Sequence, residues 1–336
     1  MRERQRANHR YSARLSGPAP RRAAAGLVAL LAALLAAVTA CSPTSPGGSG
    51  VVVTTNILGD VVRNIVGDQA EVTVLMKPNA DPHSFGVSAQ EAARLEQAGL
   101  VVHNGLGLEE GVLRHVTAAQ ETGVPTVAVG ETVHPIAYAT SESAGQPDPH
   151  FWTDPQRMRD AVDLIADQVV EHVDGVDPDV VRGNAERYRG EIEELDAMMA
   201  ARFAEIPPEQ RKLVTNHHVF GYLAQRYGFE VIGAIIPGGT TLASPSAADL
   251  KSLSDTVRAA GVRTIFADSS QPDRLARVLA EQAGLDVRVA SLFSESLSRE
   301  GEGAASYLEM MRSNTETIAT GLTLPSPVII GEIPHR

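Results

Sequence analysis

Two patterns of apolar residues alternate along most of this chain of 336 residues. Short runs rich in Val, Ile and Leu have the length of buried strands, and they lie at 51–55, 71–76, 100–103, 126–129, 213–215, 231–236, 264–267 and 287–290. Other segments space their apolar residues like amphipathic helices, and they lie at 56–66, 89–98, 109–121, 218–227, 247–260, 272–283 and 304–321. Strands that alternate with helices predict parallel sheets covered by helices, here an α/β fold in two halves of similar size.

The segment between the two halves is predicted to be almost entirely helical. A first helix is predicted from 154 to about 173, and a second begins at Asp177-Pro178, with the aspartate as N-cap. Pro207-Pro208 ends the second helix, whose apolar stripe is Val181, Ala185, Tyr188, Ile192, Leu195, Met199 and Phe203. At 1.5 Å per residue this helix is about 40 Å long, enough to span two lobes. A coiled-coil dimer is the alternative, but Ala and Tyr in the seam make a weak zipper.

The first 40 residues have the composition of a secretion signal. Arginines precede an uncharged apolar run at 23–39, which is shorter than the ~20 residues of a transmembrane helix. The run ends in small residues before Cys41, the only cysteine of the chain, and this pattern resembles a bacterial lipobox. Ordinary cleavage after an Ala-x-Ala-like site is the alternative. We predict a signal peptide over 1–40, lipidation of Cys41, a flexible tether over 42–50 and a location outside the cytoplasm, anchored to the cell membrane.

The charge of the chain changes sign after this leader. The whole chain carries −12, but residues 1–40 contain seven arginines and one glutamate, which leaves −18 on the remainder. A body this acidic argues against nucleic acid or an anionic lipid surface as a partner. It is compatible with a cation as ligand.

Three histidines occupy loops on which a ligand site is expected. Two of them follow an Asp-Pro pair, in Asp81-Pro82-His83 and Asp148-Pro149-His150, where proline stiffens the turn. The third, His217, directly follows the predicted strand 213–215, and ligands of open α/β sheets lie beyond the carboxyl ends of the strands. Each histidine alone is better explained as a surface or capping residue. Together they predict a metal site between two lobes.

Longer motifs accompany these histidines in order along the chain. They are 81–85, 100–106, 148–152, 214–222, 292–296 and 307–314. With these motifs the chain resembles, over essentially all residues after 50, the metal-binding solute-binding lipoproteins of bacterial zinc and manganese ABC importers (cluster A-I, or cluster 9). The resemblance implies two Rossmann-like lobes with parallel sheets, joined by one long linker helix, and a metal ion in the cleft. It places an N-terminal metal-binding lobe at 51–176, the linker helix at 177–207 and a C-terminal metal-binding lobe at 208–336.

The resemblance also implies a set of ligands. Three of the four ligand positions of the family fall on His83, His150 and His217. The fourth position is usually Asp, but the register places Glu295 there, and its extra methylene changes its reach. An exposed loop carboxylate is the alternative interpretation of Glu295. Asp268 and Asp273 are the reserve candidates for the fourth ligand. The histidines without a ligand position are His103, His115, His134, His172, His218 and His335.

Three imidazoles with one carboxylate favour Zn²⁺, because Mn²⁺ prefers more oxygen ligands. Mn²⁺ is the alternative, since zinc receptors of this family often carry a long His-rich loop, whereas 134–146 is short here and has one histidine. The resemblance implies a monomeric receptor, not an enzyme, that delivers its ion to an ABC membrane permease. A metallochaperone is a further candidate partner.

Two functions of other classes are compatible with the same residues. A secreted zinc hydrolase would bind its metal through the three histidines and use Glu295 as general base, but the chain has no His-Glu-x-x-His motif. An adhesin would use the metal only to stabilise its fold. The full-length match to the receptor family disfavours both.

Overall fold

Eight strands form two parallel sheets in the computed structural model, which describes residues 50–139, 143–283 and 287–323. The strands of the first sheet are β1 (Val51–Val53), β2 (Val72–Val74), β3 (Leu100–His103) and β4 (Thr126–Ala128). Those of the second are β5 (Lys212–Thr215), β6 (Glu230–Ala234), β7 (Thr264–Asp268) and β8 (Arg288–Leu292). The orders are β2-β1-β3-β4 and β6-β5-β7-β8, so both sheets have the same topology. The predicted α/β fold is confirmed.

Helices connect the strands of each sheet. In the first half they are α1 (Asn56–Val66), α2 (Ala89–Glu96), α3 (Glu110–Glu121) and α4 (Val129–Thr132). The middle helices are α5 (Pro155–His172) and α6 (Pro178–Ala204), and the second half contains α7 (Gly221–Tyr227), α8 (Ala247–Ala260), α9 (Arg274–Ala283) and α10 (Tyr307–Thr323). Within the described ranges, none of these helices has the length and apolar character needed to cross a bilayer. The predicted signal peptide and Cys41 lie outside the described residues.

Helix α6 is the predicted linker helix. The Asp177 side chain caps it by accepting the backbone N–H of Asp179 at 2.9 Å, and Pro178 occupies the first turn. All seven residues of the predicted apolar stripe are buried, and the helix packs against α1 of the first half and α10 of the second. Its side chains belong to one hydrophobic core that includes Val53 of β1 and Phe266 of β7. Both sheets share this core, so the packing does not divide the chain at a particular residue. The limits 51–176, 177–207 and 208–336 therefore stay predictions.

The predicted elements differ from the observed ones mainly at their ends. Helix α7 begins at Gly221 rather than 218, and α10 begins at Tyr307 rather than 304. The apolar run 126–129 is divided, because Val129 is already the first residue of helix α4. The loop that 218–220 form between β5 and α7 directly follows His217, so this shift concerns the candidate site.

Candidate metal centre

The structure brings the side chains of His83, His150, His217 and Glu295 together. Each offers one ligand atom, and these atoms lie within 4.8 Å of one another. His83 follows β2, His217 follows β5 and Glu295 follows β8, whereas His150 precedes α5. Both sheets therefore contribute to the cluster from the carboxyl ends of their strands, where ligands of open α/β folds bind. Glu295 is 1% exposed, which contradicts its interpretation as an exposed loop carboxylate.

Glu295 lies against all three imidazoles. Its Oε1 is 3.2 Å from His217 Nε2 and 3.4 Å from His150 Nε2, while its Oε2 is 3.5 Å from His83 Nε2. The Nε2 atoms of His150 and His217 are 3.4 Å apart. Both carboxylate oxygens thus face ring nitrogens, so the longer side chain reaches the cluster from the position that the family usually fills with Asp.

The converging atoms are mostly acceptors without donors. Asp148 Oδ1 accepts the Nδ1–H of His150 at 2.8 Å, which leaves the lone pair of this ring on Nε2, inside the cluster. His83 Nε2 and both oxygens of Glu295 are buried without a hydrogen-bond partner among the described residues. Buried polar atoms are normally paired, and leaving them unpaired costs free energy. A cation among these atoms would satisfy all of them at once.

Burial sets the protonation of the cluster. It lowers the pKa of His83 to about 4 and that of His150 to about 3, and it also lowers the pKa of His217. Burial raises the pKa of Glu295 to about 7. The imidazoles are therefore neutral near pH 7, the form that binds metals, while the carboxyl group holds its proton at mildly acidic pH.

The two Asp-Pro-His motifs adopt the same turn. His83 N–H donates to Asp81 Oδ1, and His150 N–H donates to Asp148 Oδ1, both at 2.9 Å. The proline between them has no N–H, so the aspartate bonds to the next available donor, as in an Asx turn. Sequence reasoning found the rigid proline but missed the aspartates, although an acidic residue two positions before a ligand is a local signal for this turn.

Further contacts orient His150. Asn104 Nδ2 donates to the carbonyl oxygen of Pro149 at 3.0 Å, and the Tyr138 hydroxyl is 3.3 Å from His150 Nδ1. The Trp152 ring lies behind the imidazole, with centroids 5.2 Å apart, and its Nε1–H donates to the Ser294 carbonyl at 2.9 Å. The loop of His150 is thereby tied to the loop that carries Glu295. No role was predicted for Tyr138 or for Asn104, although Asn104 belongs to the motif 100–106.

The loop of Glu295 is held by the first half of the chain. Asn56, at the start of α1, donates from Nδ2 to Ser296 Oγ at 2.8 Å and accepts the Leu297 N–H at 2.9 Å. These bonds join residues 240 and 241 positions apart. They place Glu295 relative to the opposite lobe.

The reserve candidates lie outside the cluster. Asp268 is buried, but its carboxylate accepts hydrogen bonds from Ser270 and Ser294 instead. Asp273 pairs with Arg277 at 2.6 Å on the surface. His218 is half-buried and lines a neighbouring cavity of about 380 Å³ together with Asp148.

Removing the carboxylate of Asp148 is expected to weaken metal binding by about 10- to 100-fold, the usual effect of losing a group that orients a metal-binding histidine. Asp148→Ala removes the acceptor for both the backbone and the ring N–H of His150. Competition titration against a chromophoric chelator measures the loss. The matched control is Asp148→Asn, which retains an Oδ1 acceptor and should lose less. Equal losses in both variants would contradict an orienting hydrogen bond.

Two parallel α/β lobes bridged by a long helix, with three histidines and a carboxylate buried together, define a two-lobed binding protein for a metal ion. The sequence profile of the family described as "Zinc-uptake complex component A periplasmic" (ZnuA) matches residues 51–321, and the chain belongs to this family. Members of this family are substrate-binding receptors of metal ABC importers rather than enzymes.

Similarity to individual proteins supports this assignment. The chain is 28% identical over 285 residues to the manganese-binding lipoprotein MntA of Halalkalibacterium halodurans, covering 83% of this chain and 91% of MntA. It is 30% identical over 311 residues to the metal ABC transporter substrate-binding lipoprotein FimA of Streptococcus parasanguinis, covering 89% and 98%. Among solved structures, the periplasmic zinc-binding protein TroA of Treponema pallidum superposes with a TM-score of 0.74 at 28% identity, covering 82% of this chain and 99% of TroA.

Proposed function

We propose that this protein is an extracytoplasmic receptor that captures one Zn²⁺ through His83, His150, His217 and Glu295 and delivers it to an ABC membrane permease. The observation that carries the proposal is the convergence of four buried side chains, among which His83 Nε2 and both oxygens of Glu295 lack a hydrogen-bond partner among the described residues. With four protein ligands around the ion, the site is closed, which suits capture and release rather than catalysis.

The donor set favours zinc over manganese. Three neutral imidazoles are typical ligands of zinc and later divalent metals, whereas manganese prefers carboxylate and carbonyl oxygens. The relatives are named for different metals, MntA for manganese, TroA for zinc and YfeA of Yersinia pestis for iron. The ligands of this chain are therefore the stronger argument, and they support zinc.

The position of Glu295 argues against a hydrolase. A catalytic zinc keeps an open position and needs a base beside it. Glu295 is fully buried and directs both oxygens at the three imidazoles, at 3.2 to 3.5 Å, which favours the role of a ligand over that of a base. We infer that the chain is a receptor and not an enzyme.

Several relatives are named as lipoproteins, among them MntA and FimA. Together with the lipobox-like sequence before Cys41, this supports a mature protein that is anchored to the outer face of the cell membrane through a lipidated Cys41. A monomer is sufficient for the function, because all four ligands come from one chain. The permease is the partner implied by the family, and a metallochaperone is a candidate for loading.

Metal content and competition titration test the proposal. Elemental analysis of the purified protein should find one zinc per chain, and after chelator stripping it should bind Zn²⁺ that excess Mn²⁺ does not displace. Preferential binding of Mn²⁺ would assign the protein to manganese with the same ligands. Absence of stoichiometric metal would refute the site, and collapse of the fold on stripping would favour a structural metal.

Zinc binding should release nearly one proton more at pH 6 than at pH 8.5. Because burial raises the pKa of Glu295 to about 7, the carboxyl group must lose its proton before it binds the ion at pH 6. The neutral imidazoles of His83 and His150 add no proton there, since their pKa values are about 4 and about 3. The affinity should therefore fall as the pH falls below about 7.

Calorimetry in buffers of different ionisation enthalpy measures the number of protons released. Glu295→Gln is the matched control, because it keeps the size of the side chain and removes its titration. In this variant zinc binding should be weaker, and the difference in proton release between pH 6 and 8.5 should shrink. An unchanged difference would show that another group supplies the proton.

A further inference from the structure

The carboxylate of Asp81 uses its two oxygens for different contacts. Oδ1 accepts the backbone N–H of His83 at 2.9 Å, which fixes the turn that presents this histidine. Oδ2 accepts hydrogen bonds from the Thr241 hydroxyl at 2.6 Å and from Gln271 Nε2 at 2.9 Å. Thr241 lies in the loop after β6 and Gln271 in the loop after β7, so both belong to the second sheet. One side chain therefore links His83 of the first lobe to two loops of the second.

The second Asp-Pro-His motif does not make this link. Asp148 Oδ1 accepts both the backbone N–H and the ring Nδ1–H of His150, so this carboxylate orients the imidazole directly. Asp81 bonds to the backbone of His83 rather than to its ring, and its second oxygen bonds to Thr241 and Gln271 of the other lobe. The two copies of one motif thus hold their histidines in different ways: the carboxylate of Asp148 bonds to its own histidine, whereas that of Asp81 also bonds to the other lobe.

The strength of the link follows from burial and charge. Asp81 is 8% exposed, and Ser84, Thr241 and Gln271 donate to it through neutral groups. Hydrogen bonds to an ionised carboxylate are roughly twice as strong as those between neutral groups. Separating the lobes would leave this carboxylate without two of its donors, which opposes opening.

The loop that carries Thr241 is seated on the first half of the chain at a second point. Gly239 N–H donates to Ser143 Oγ at 3.1 Å, and the Tyr138 hydroxyl is 3.3 Å from the Gly239 carbonyl oxygen. A side chain at Gly239 would collide with the Tyr138 hydroxyl, so glycine permits this close approach. Tyr138 is also next to His150, so the loop touches the surroundings of two candidate ligands.

We propose that Asp81, Thr241 and Gln271 form an interlobe latch that positions His83 on the bound ion and slows its release. The inference rests on the proposed metal-receptor function. Departure of the ion toward the permease requires the site to open, and opening between these loops must break the bonds of Thr241 and Gln271 to Asp81. Once they break, the turn of His83 loses its anchor in the second lobe. The latch thus acts on the rate of release, through positioning and not through direct ligation.

Thr241→Val tests the latch, because it removes the hydroxyl and nearly keeps the shape of the side chain. We expect the full chain to bind one Zn²⁺ still, but to release it about 10- to 100-fold faster into excess chelator in a stopped-flow experiment. Gln271→Ala, which removes the other donor, should act in the same direction. Thr241→Ser restores the hydroxyl and should restore slow release.

The matched control is Thr240→Val on the same loop. Thr240 Oγ1 accepts only the Leu242 N–H, at 3.2 Å, among the described residues, so its loss should not change the release rate. Thermal unfolding of the metal-free variants separates a local effect from a damaged fold. Release at the unmodified rate in both Thr241→Val and Gln271→Ala overturns the latch alone, as does equal acceleration by Thr240→Val. An unmodified protein that binds no zinc overturns the proposed function and the latch together.

Discussion

Replacing His217 with alanine should abolish stoichiometric zinc binding, whereas the same replacement of its neighbour His218 should leave one zinc per chain. His217 is fully buried and presents Nε2 to both His150 and Glu295, at 3.4 and 3.2 Å. The replacement removes one of the four proposed metal ligands. It also leaves the buried carboxylate of Glu295 without one of its three neighbouring imidazoles. Removing an orienting group costs about 10- to 100-fold in affinity, so removal of a ligand should cost at least about 100-fold.

The adjacent His218 is a matched control for the His217 replacement. His218 is half-buried and lines the neighbouring cavity rather than the cluster. Elemental analysis and competition titration of the two variants measure the contrast, and circular dichroism checks that both are folded. Equal zinc content in the two variants would remove His217 from the site. Loss of zinc in the His218 variant alone would exchange the roles of the two residues.

Replacing Phe203 with alanine should lower the free energy of unfolding by about 3–5 kcal/mol, the usual cost of truncating a buried aromatic residue. Phe203 is 1% exposed near the end of α6, with its ring centroid 5.1 Å from that of Tyr227 and 5.0 Å from that of Phe229. These partners belong to the second half of the chain, so the cavity would open where the linker helix contacts that lobe. Denaturant unfolding of the metal-free protein measures the change.

Leu113→Ala is the control for this prediction. Leu113 is a large apolar residue on α3, but it is 53% exposed, so its truncation should change the stability by less than about 0.5 kcal/mol. Similar losses in both variants would mean that Phe203 does not pack as described. Metal-free protein is required for both, because a bound ion stabilises the folded state by mass action and would obscure the difference.

Local pattern predicted most of the fold. The seven stripe residues of α6 are buried as their spacing indicates, and Asp177 caps the helix as its place before Pro178 indicates. These features depend on neighbours within a few turns of the same helix. Strand ends were less accurate because β-branched residues continue past the end of the strand, as Thr54 and Thr55 do after β1. The start of α7 was misplaced for a related reason, since 218–220 are needed to turn the chain after the strand.

For the candidate site too, residues marked by the local sequence were predicted and residues defined by distant contacts were not. The three histidines were marked locally, two by Asp-Pro and one by the end of a strand, and Glu295 was found only by resemblance to the family. The residues that support them were missed when their partners are distant in sequence. Asn104 contacts Pro149 and Thr241 contacts Asp81, 45 and 160 positions away. Such contacts arise from the tertiary fold, and no spacing in the sequence predicts them.

The bonds from Asn56 to the loop of Glu295 have a consequence for the time at which the site forms. They join segments 240 positions apart, and contacts between such distant segments form late in folding because the intervening chain must first be ordered. Before these segments meet, the chain has its three histidines but not the carboxylate of Glu295 beside them. The complete four-residue cluster is therefore a property of the folded molecule and not of its N-terminal half.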